Sequence, residues 1–441
     1  MLLESLTVQD YQDLLDRGWR RSGRYVYKPC MESTCCPLYT IRCRVKDYQP
    51  SKSQRKVVKK VNNCIRYGTK NKVDDEDPSN TTTDQNASSM KGELIEKCNE
   101  EMGPEARDPI ADDIKASSAE GGQGMRVEGL KKAKILRREK HIEKLIKAGE
   151  ETMIASSAPQ NKAKVLSDLV PDKNFFALNQ LILQSEPDSA HKFELRLVKA
   201  DLSDPEFMSS FHKSYRVYRK YQTVVHKDNP SDCDIQTFAG FLCDSPLIYE
   251  TQGNKMFGAF HQQYLIDGAI VAVGVVDILP HSLSSVYLYY DPGWWGKVPS
   301  LSPGTYSAIR EVQLTQQLNL PYYYMGFYIH SCPKMKYKGR FLPADLLSPT
   351  TFSWHNIEQA IPLLDAAKYS TFEGIRATGP APTFPSMDLG KMRLLVNNEL
   401  VSYQEWQKDG PPSDEIGLFH QLIGQDLAQR LVLRWRENMM V

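Results

Sequence analysis

The first residue that suggests chemistry is Asp277, which interrupts the apolar run AVGVVDIL. A carboxylate there is costly unless it has a task or a partner. It is either a proton acceptor or a structural acid capping the Pro280 turn. Ser285, Tyr287 and Tyr289 follow at alternating positions. A regular strand would put all three on one face, where their hydroxyls orient a ligand or simply pack in a sheet. Lys334, Lys336, Lys338 and Arg340, with Tyr337 among them, crowd the segment CPKMKYKGR. A basic loop just after a strand suits an anion, whether carboxylate or phosphate; the alternative is a solvated loop. His261 and His226 are isolated polar candidates. Arg216, Arg219 and Lys220 on one helix, and Lys56 and Lys59 on another, suit a nucleic-acid backbone. An ordinary exposed helix face explains them nearly as well.

These residues sit in a chain of 441 residues with 55 Lys+Arg against 54 Asp+Glu. That balance excludes a globally basic nucleic-acid coat protein and an acidic tail protein. Charge is nonetheless local. Residues 1–72 carry 16 Lys/Arg and 6 Asp/Glu, and the block KKAKILRREKHIEKLIK at 131–147 carries 8 basic and 2 acidic residues. Such blocks suit an anionic partner, although a solvated helix face explains the second block equally simply. The greasiest run, Leu265 to Leu279, contains Asp267, Gly268 and Asp277, and falls short of the roughly 20 residues that span a bilayer. Nine cysteines, scattered and without a secretory leader, point to a reducing compartment, cytosolic or nuclear.

Several elements are needed to position the candidates. Thr7-Val8-Gln9-Asp10 is a capping pattern that opens a helix ending at Gly18. Arg24–Lys28 and Thr40–Val45 alternate as strands, and Ser51 with Gln54 caps a helix running to Tyr67 before Gly68. This defines an N-terminal module, 1–72. Residues 73–125 hold no aromatic residue and read as a disordered linker. A basic amphipathic helix and a second linker fill 126–190. A larger domain spans 191–410, and a C-terminal helix is expected over 411–441. Within the larger domain, Lys192–Ala200 is a strand and Asp204-Pro205 opens an aromatic-striped helix. Ser231 to Asp234 caps another helix reaching Cys243. Met256–Ile266 and Ala269–Ile278 flank Asp267-Gly268, a strong two-residue hairpin signal. Val286–Tyr290 is a third strand, Pro303-Gly304 opens a helix to Leu318, and Pro321–Tyr328 is a buried strand. The order describes an α/β fold with a mixed sheet.

The segments LTVQDYQDLLDRGWRRSGRYVYKP (6–29), TCCPLYTIRCR (34–44) and PSKSQRK (50–56) resemble the N-terminal module of the arginyl-tRNA–protein transferases. FHKSYRVYRKYQTVVHKD (211–228), VAVGVVDILPHSLSSVYLYYDP (271–292) and YYYMGFYIHSCPKMKYKGRFLP (322–343) resemble the C-terminal module of that family. The resemblance covers both ends and skips the middle. It implies a GNAT-like acyltransferase fold that moves arginine from arginyl-tRNA to proteins beginning with Asp, Glu or oxidised Cys, marking them for ubiquitin-dependent degradation. In that light Asp277 becomes the candidate base, with Ser285 and Tyr287 orienting the ester. His261, Lys334, Lys336, Tyr337, Lys338 and Arg340 become contacts to the acceptor. Arg216, Arg219, Lys220, Lys56 and Lys59 become tRNA contacts. The aminoacyl ester is already activated, so no cofactor is required for the chemistry. Family members carry a further Cys-x-x-Cys pair before the Gly-Trp-Arg segment, forming an iron–sulfur or zinc site with a Cys-Cys pair. Here only Cys35 and Cys36 match, an incomplete ligand set, as expected of an alternative or truncated N-terminal form. A non-catalytic tRNA- or degron-binding form is the alternative function. A monomer with no membrane association is expected.

Overall fold

The computed structural model describes residues 3, 5–31, 33–68, 188–296, 301–379, 388–397, 399–409 and 414–435. All of them belong to one compact unit built from 1–69 and 145–441. The expected linker at 73–125 and the basic helix at 126–148 lie outside the described residues.

Helix α1 (Val8–Leu15) begins where the sequence says: the Thr7 hydroxyl accepts from the Asp10 amide at 3.0 Å. The chain then turns at Gly18 into a small hairpin, β1 (Arg20–Ser22) with β2 (Tyr25–Tyr27). Strand β3 (Tyr39–Arg44) follows, and then α2 (Lys52–Tyr67), whose Ser51–Gln54 capping box is complete. The N-terminal module does not stand apart from the larger domain. Strand β3 lies inside the main sheet, between β9 (Tyr322–Tyr328) and β10 (Ala344–Leu347).

That sheet holds nine strands among the described residues. One half is antiparallel: β4 (Phe193–Lys199), β6 (Lys255–Ile266), β7 (Ala269–Ile278) and β8 (Ser282–Tyr290), with β5 (Glu250–Gln252) beside β6. Asp267-Gly268 closes the β6–β7 hairpin with both residues at positive φ, as a tight primed turn requires. The other half runs β9, β3, β10 and β11 (Trp354–Asn356), again antiparallel. The halves join through one parallel contact, β8 to β9. It lasts only from Ser282–Tyr322 to Ser284–Tyr324, after which the two strands are no longer paired.

Helices α3 (Pro205–Tyr221) and α4 (Pro303–Gln317) cover opposite faces. Successive β6 residues show this: Gln263 donates to Ser210 of α3 at 2.7 Å, while the Tyr264 ring meets Tyr306 of α4. The expected helix at 231–243 starts later than its first capping residue suggested. Asp234, not Ser231, caps Ile235–Phe238, and a π-turn, Ala239–Cys243, completes it. The C-terminal segment is also not one helix. Two short helices, Asp414–Ile423 and Gln425–Arg430, lead into β14 (Val432–Trp435). That strand pairs in parallel with β12 (Arg393–Val396), whose other neighbour is β13 (Glu399–Ser402). Arg430 fastens this small sheet to α1 through Asp10 at 2.5 Å and through Asp13. No described helix is long and apolar enough to cross a membrane.

Candidate active site

Where β8 and β9 part, a cleft of about 400 Å³ opens. Its walls are Ser284 to Leu288 of β8 and Tyr323, Met325, Gly326 and Phe327 of β9. Arg20 and Arg21 of β1 enter from the N-terminal hairpin, and Lys334, Tyr337 and Lys338 close it from the segment after β9. That segment is a short helix, Pro333–Lys336, and a 3₁₀ turn, Tyr337–Arg340, rather than an open loop.

Two bulges shape the walls. In β9, Met325 and Gly326 together face the single residue Ile41 between the Arg42–Tyr324 and Thr40–Phe327 pairs. Gly326 takes φ +74°, a backbone state that favours glycine. The bulge presents two successive carbonyls: Arg20 donates to Gly326 O at 3.1 Å, and Lys338 donates to Phe327 O at 2.8 Å. In β8, Val286 is the extra residue between the Val276–Ser285 and Val275–Tyr287 pairs. It breaks the alternation assumed for this strand. Ser285 turns toward Glu311 of α4, whereas Tyr287 turns toward α3 and donates to Gln222 Oε1 at 2.8 Å. Tyr289 leaves the cleft for the core, at 2.7 Å from the Ser214 hydroxyl.

The cleft is cationic. Arg20 is buried, its guanidinium lies over the Phe327 ring, and its Nε has no hydrogen-bond partner. Lys338 is half-buried, and its pKa falls to about 8, through burial first and then through repulsion by Arg20. Neither cation forms an ion pair with a carboxylate of the described residues. Burying unpaired cations is expensive, and a bound anion offsets the cost. Burial pushes the Tyr337 hydroxyl up to about 12, so it stays protonated and able to donate.

The structure thus gathers Ser285, Tyr287, Lys334, Tyr337 and Lys338 at one place. Other candidates lie elsewhere. Asp277 is fully buried outside the cleft lining, and Arg21 grips both its oxygens, at 2.7 Å and 2.5 Å. A carboxylate held in that fork and away from the cleft lining fits the structural reading of Asp277. His261 is sealed under α3, its Nε2 at 3.0 Å from Leu242 O and its ring edge-on to Phe207. Burial lowers its pKa to about 4, leaving a neutral core histidine rather than an acceptor contact. Lys336 and Arg340 are exposed and do not line the cleft. Lys56 and Lys59 are exposed on α2, as is Arg216 on α3, with Arg219 partly covered. Lys220 is paired with Asp291 at 2.8 Å. Cys35 is exposed and Cys36 half-buried, both as free thiols. No three His, Cys, Asp or Glu side chains converge among the described residues. Two adjacent thiols do not furnish a four-donor zinc or cluster site.

Sequence reasoning passed over Arg20, Arg21 and Glu311. The arginines stand in the quoted segment DRGWRRSGR, where nothing local reveals that β1 reaches the main sheet. For Glu311 a signal existed. The apolar residues Tyr306, Ala308, Ile309, Val312 and Leu314 spread around all sides of α4, which marks a helix buried on every side.

The described residues thus form a mixed sheet whose one parallel pair splits around a cationic, hydroxyl-lined cleft. Two profiles of one family match this chain: Arginine-tRNA-protein transferase, N terminus, over residues 1–56, and C terminus, over 213–348. The Arginyl-tRNA–protein transferase 1 of Drosophila melanogaster is 32% identical over 97% of this chain and 92% of its own length. This chain belongs to the arginyl-tRNA–protein transferase family. The Arginyl-tRNA–protein transferase 2 of Arabidopsis thaliana is 33% identical over 87% of this chain and 75% of its own. A protein named aspartate/glutamate leucyltransferase, from Methylorubrum populi, is 31% identical over 36% of this chain and 62% of its own.

Proposed function

We propose that the cleft transfers arginine from arginyl-tRNA to the free α-amine of proteins beginning with an acidic residue, Asp, Glu or oxidised Cys. The donor follows from the family. The acceptor preference is carried by one observation: Arg20 and Lys338 side by side, unpaired with any carboxylate of the described residues. A carboxylate or sulfur oxyacid side chain supplies the missing counter-charge and can accept from both. The leucyltransferase relative, whose name specifies aspartate and glutamate, supports the same preference. A protein so modified begins with arginine, the mark that the N-degron pathway reads.

The acceptor's side chain, held at the β9 bulge, brings its α-amine to the level of Ser285 and Tyr337. An α-amine has an ordinary pKa of about 8, so a modest base frees it. Tyr337 donates to the oxyanion that forms at the arginyl carbonyl, and Tyr287, fixed by Gln222, walls the ester side. Lysines and arginines on α2 and α3 hold the tRNA backbone.

The test is transfer of labelled arginine to peptides that differ only in their first residue. Asp and Glu peptides should be labelled and a Lys peptide scarcely. Lys338→Met should lower kcat/KM for the Asp peptide about 10- to 100-fold, the loss expected of one hydrogen bond between charged groups. Affinity for arginyl-tRNA should hold. Equal labelling of Asp and Lys peptides would end the acceptor assignment, and charged tRNA that binds without any transfer would end the enzymatic reading. Because Lys338 loses its proton near pH 8, KM for acidic peptides should climb above that pH in the wild type and not in Lys338→Arg.

A further inference from the structure

Behind Ser285 lies a carboxylate that the proposed reaction has not used. Glu311 of α4 is 1% exposed. Its Oε2 accepts from the Tyr323 hydroxyl at 2.6 Å, and its Oε1 has no hydrogen-bond partner. That oxygen rests over β7, so close that a Cβ on Gly274 would stand 2.9 Å from it. Ser285 lines the cleft with its hydroxyl against both Glu311 and Tyr323. One hydroxyl therefore separates a buried acid from the place where the acceptor amine must lie.

Resting on the transferase reading above, we propose that Glu311 is a positioning residue that takes the acceptor's proton through Ser285. The nitrogen bonds to the arginyl carbonyl carbon as the ester C–O bond to the tRNA ribose breaks. The nitrogen's proton passes to Ser285 Oγ while Ser285's own proton passes to Glu311. The departing ribose oxygen recovers a proton by the reverse path, so the enzyme ends as it began.

The surroundings suit that task. Glu311 faces Tyr323 on β9, Tyr264 on β6, and Tyr337 and Lys338 on the 3₁₀ turn, and its Oε1 lies beside Gly274 of β7. Burial lifts its pKa to about 7, against smaller opposing effects of Tyr323, Ser285 and Lys338. A base near the working pH transfers protons in both directions most effectively.

The readout is the acid limb of kcat/KM for arginine transfer to an Asp peptide, between about pH 5 and pH 8. In the wild type both the amine and Glu311 must lose a proton, so log kcat/KM should rise with a slope approaching two. In Glu311→Gln only the amine titrates. The slope should fall to one and the plateau should drop at least tenfold. Ser285→Ala, a change at the cleft wall that leaves the core intact, should behave alike and carries the test should Glu311→Gln fold poorly. Tyr323→Phe removes a hydrogen bond to the carboxylate, so it should keep the steeper slope and move the limb to higher pH. Variants that transfer more slowly but retain a slope of two would overturn the relay while leaving the transferase standing. A wild type that transfers no arginine at any pH would overturn both.

Discussion

Asp277 on β7 and Glu311 on α4 are both sealed from solvent, at 0% and 1% exposure, yet they do opposite things. Asp277 is met by a guanidinium that fits both its oxygens, delivered by a residue 256 positions earlier. Glu311 is met mainly by hydroxyls, and one of its oxygens has no donor. Depth raises the cost of charge for both; the neighbours decide whether that charge is kept. Arg21 makes Asp277 a joint between the N-terminal hairpin and the main sheet. The hydroxyls around Glu311 leave it free to change protonation state. The largest expected effect comes from breaking the joint. Asp277→Ala strands Arg21 as a buried cation and should cost about 3–5 kcal/mol of stability. Urea melts of the full chain measure it, and a loss under about 1 kcal/mol would mean that solvent or another group already compensates Arg21.

Glu311 should show the reverse sign. In the unfolded chain it releases its proton near 4.5, but in the fold it holds it to about 7. Between those values the folded state carries the extra proton, so stability falls as pH rises through the window. Glu311→Gln keeps a neutral side chain in place and should escape that loss. Relative to the wild type, it should gain nothing below about pH 4 and at most about 3 kcal/mol at pH 8. Denaturation midpoints at the two ends of the range decide. A difference between the proteins that is the same at both pH values would show that Glu311 titrates in the fold as it does in the unfolded chain.

The same contrast explains what the sequence could convey. Local chemistry was legible: the Thr7 and Ser51 caps, the Asp267-Gly268 turn, and each strand from Ala269 to Tyr328 fell close to their places. Such features are set by residues within a few positions of one another. Lys338 and Tyr337 line the cleft, and the basic run after a strand that holds them is visible on its own. The two readings of Asp277 are inseparable in the sequence because its partner Arg21 is distant in the chain, and a lone acid in an apolar run looks the same paired or unpaired. The β8 bulge at Val286 was equally hidden, since the register that creates it belongs to β7. It is this bulge that separates Ser285 from Tyr287, and so gives Glu311 its route to the cleft.

The smallest effect lies at the surface. Lys220 pairs with Asp291 at 2.8 Å, but its side chain is 48% exposed, and water and salt screen the pair. Lys220→Ala should therefore shift stability by less than about 1 kcal/mol. On the proposed tRNA path its effect falls on nucleic-acid affinity instead. A lysine on a phosphate releases about one counterion, so the slope of log affinity for arginyl-tRNA against log salt should lessen by about 1. The proposed preference for Asp over Lys acceptors, assigned to Arg20 and Lys338 in the cleft, should stay as it was. An unaltered salt slope would remove Lys220 from the tRNA path, and an altered acceptor preference would mean that the α3 surface and the cleft are not separate sites.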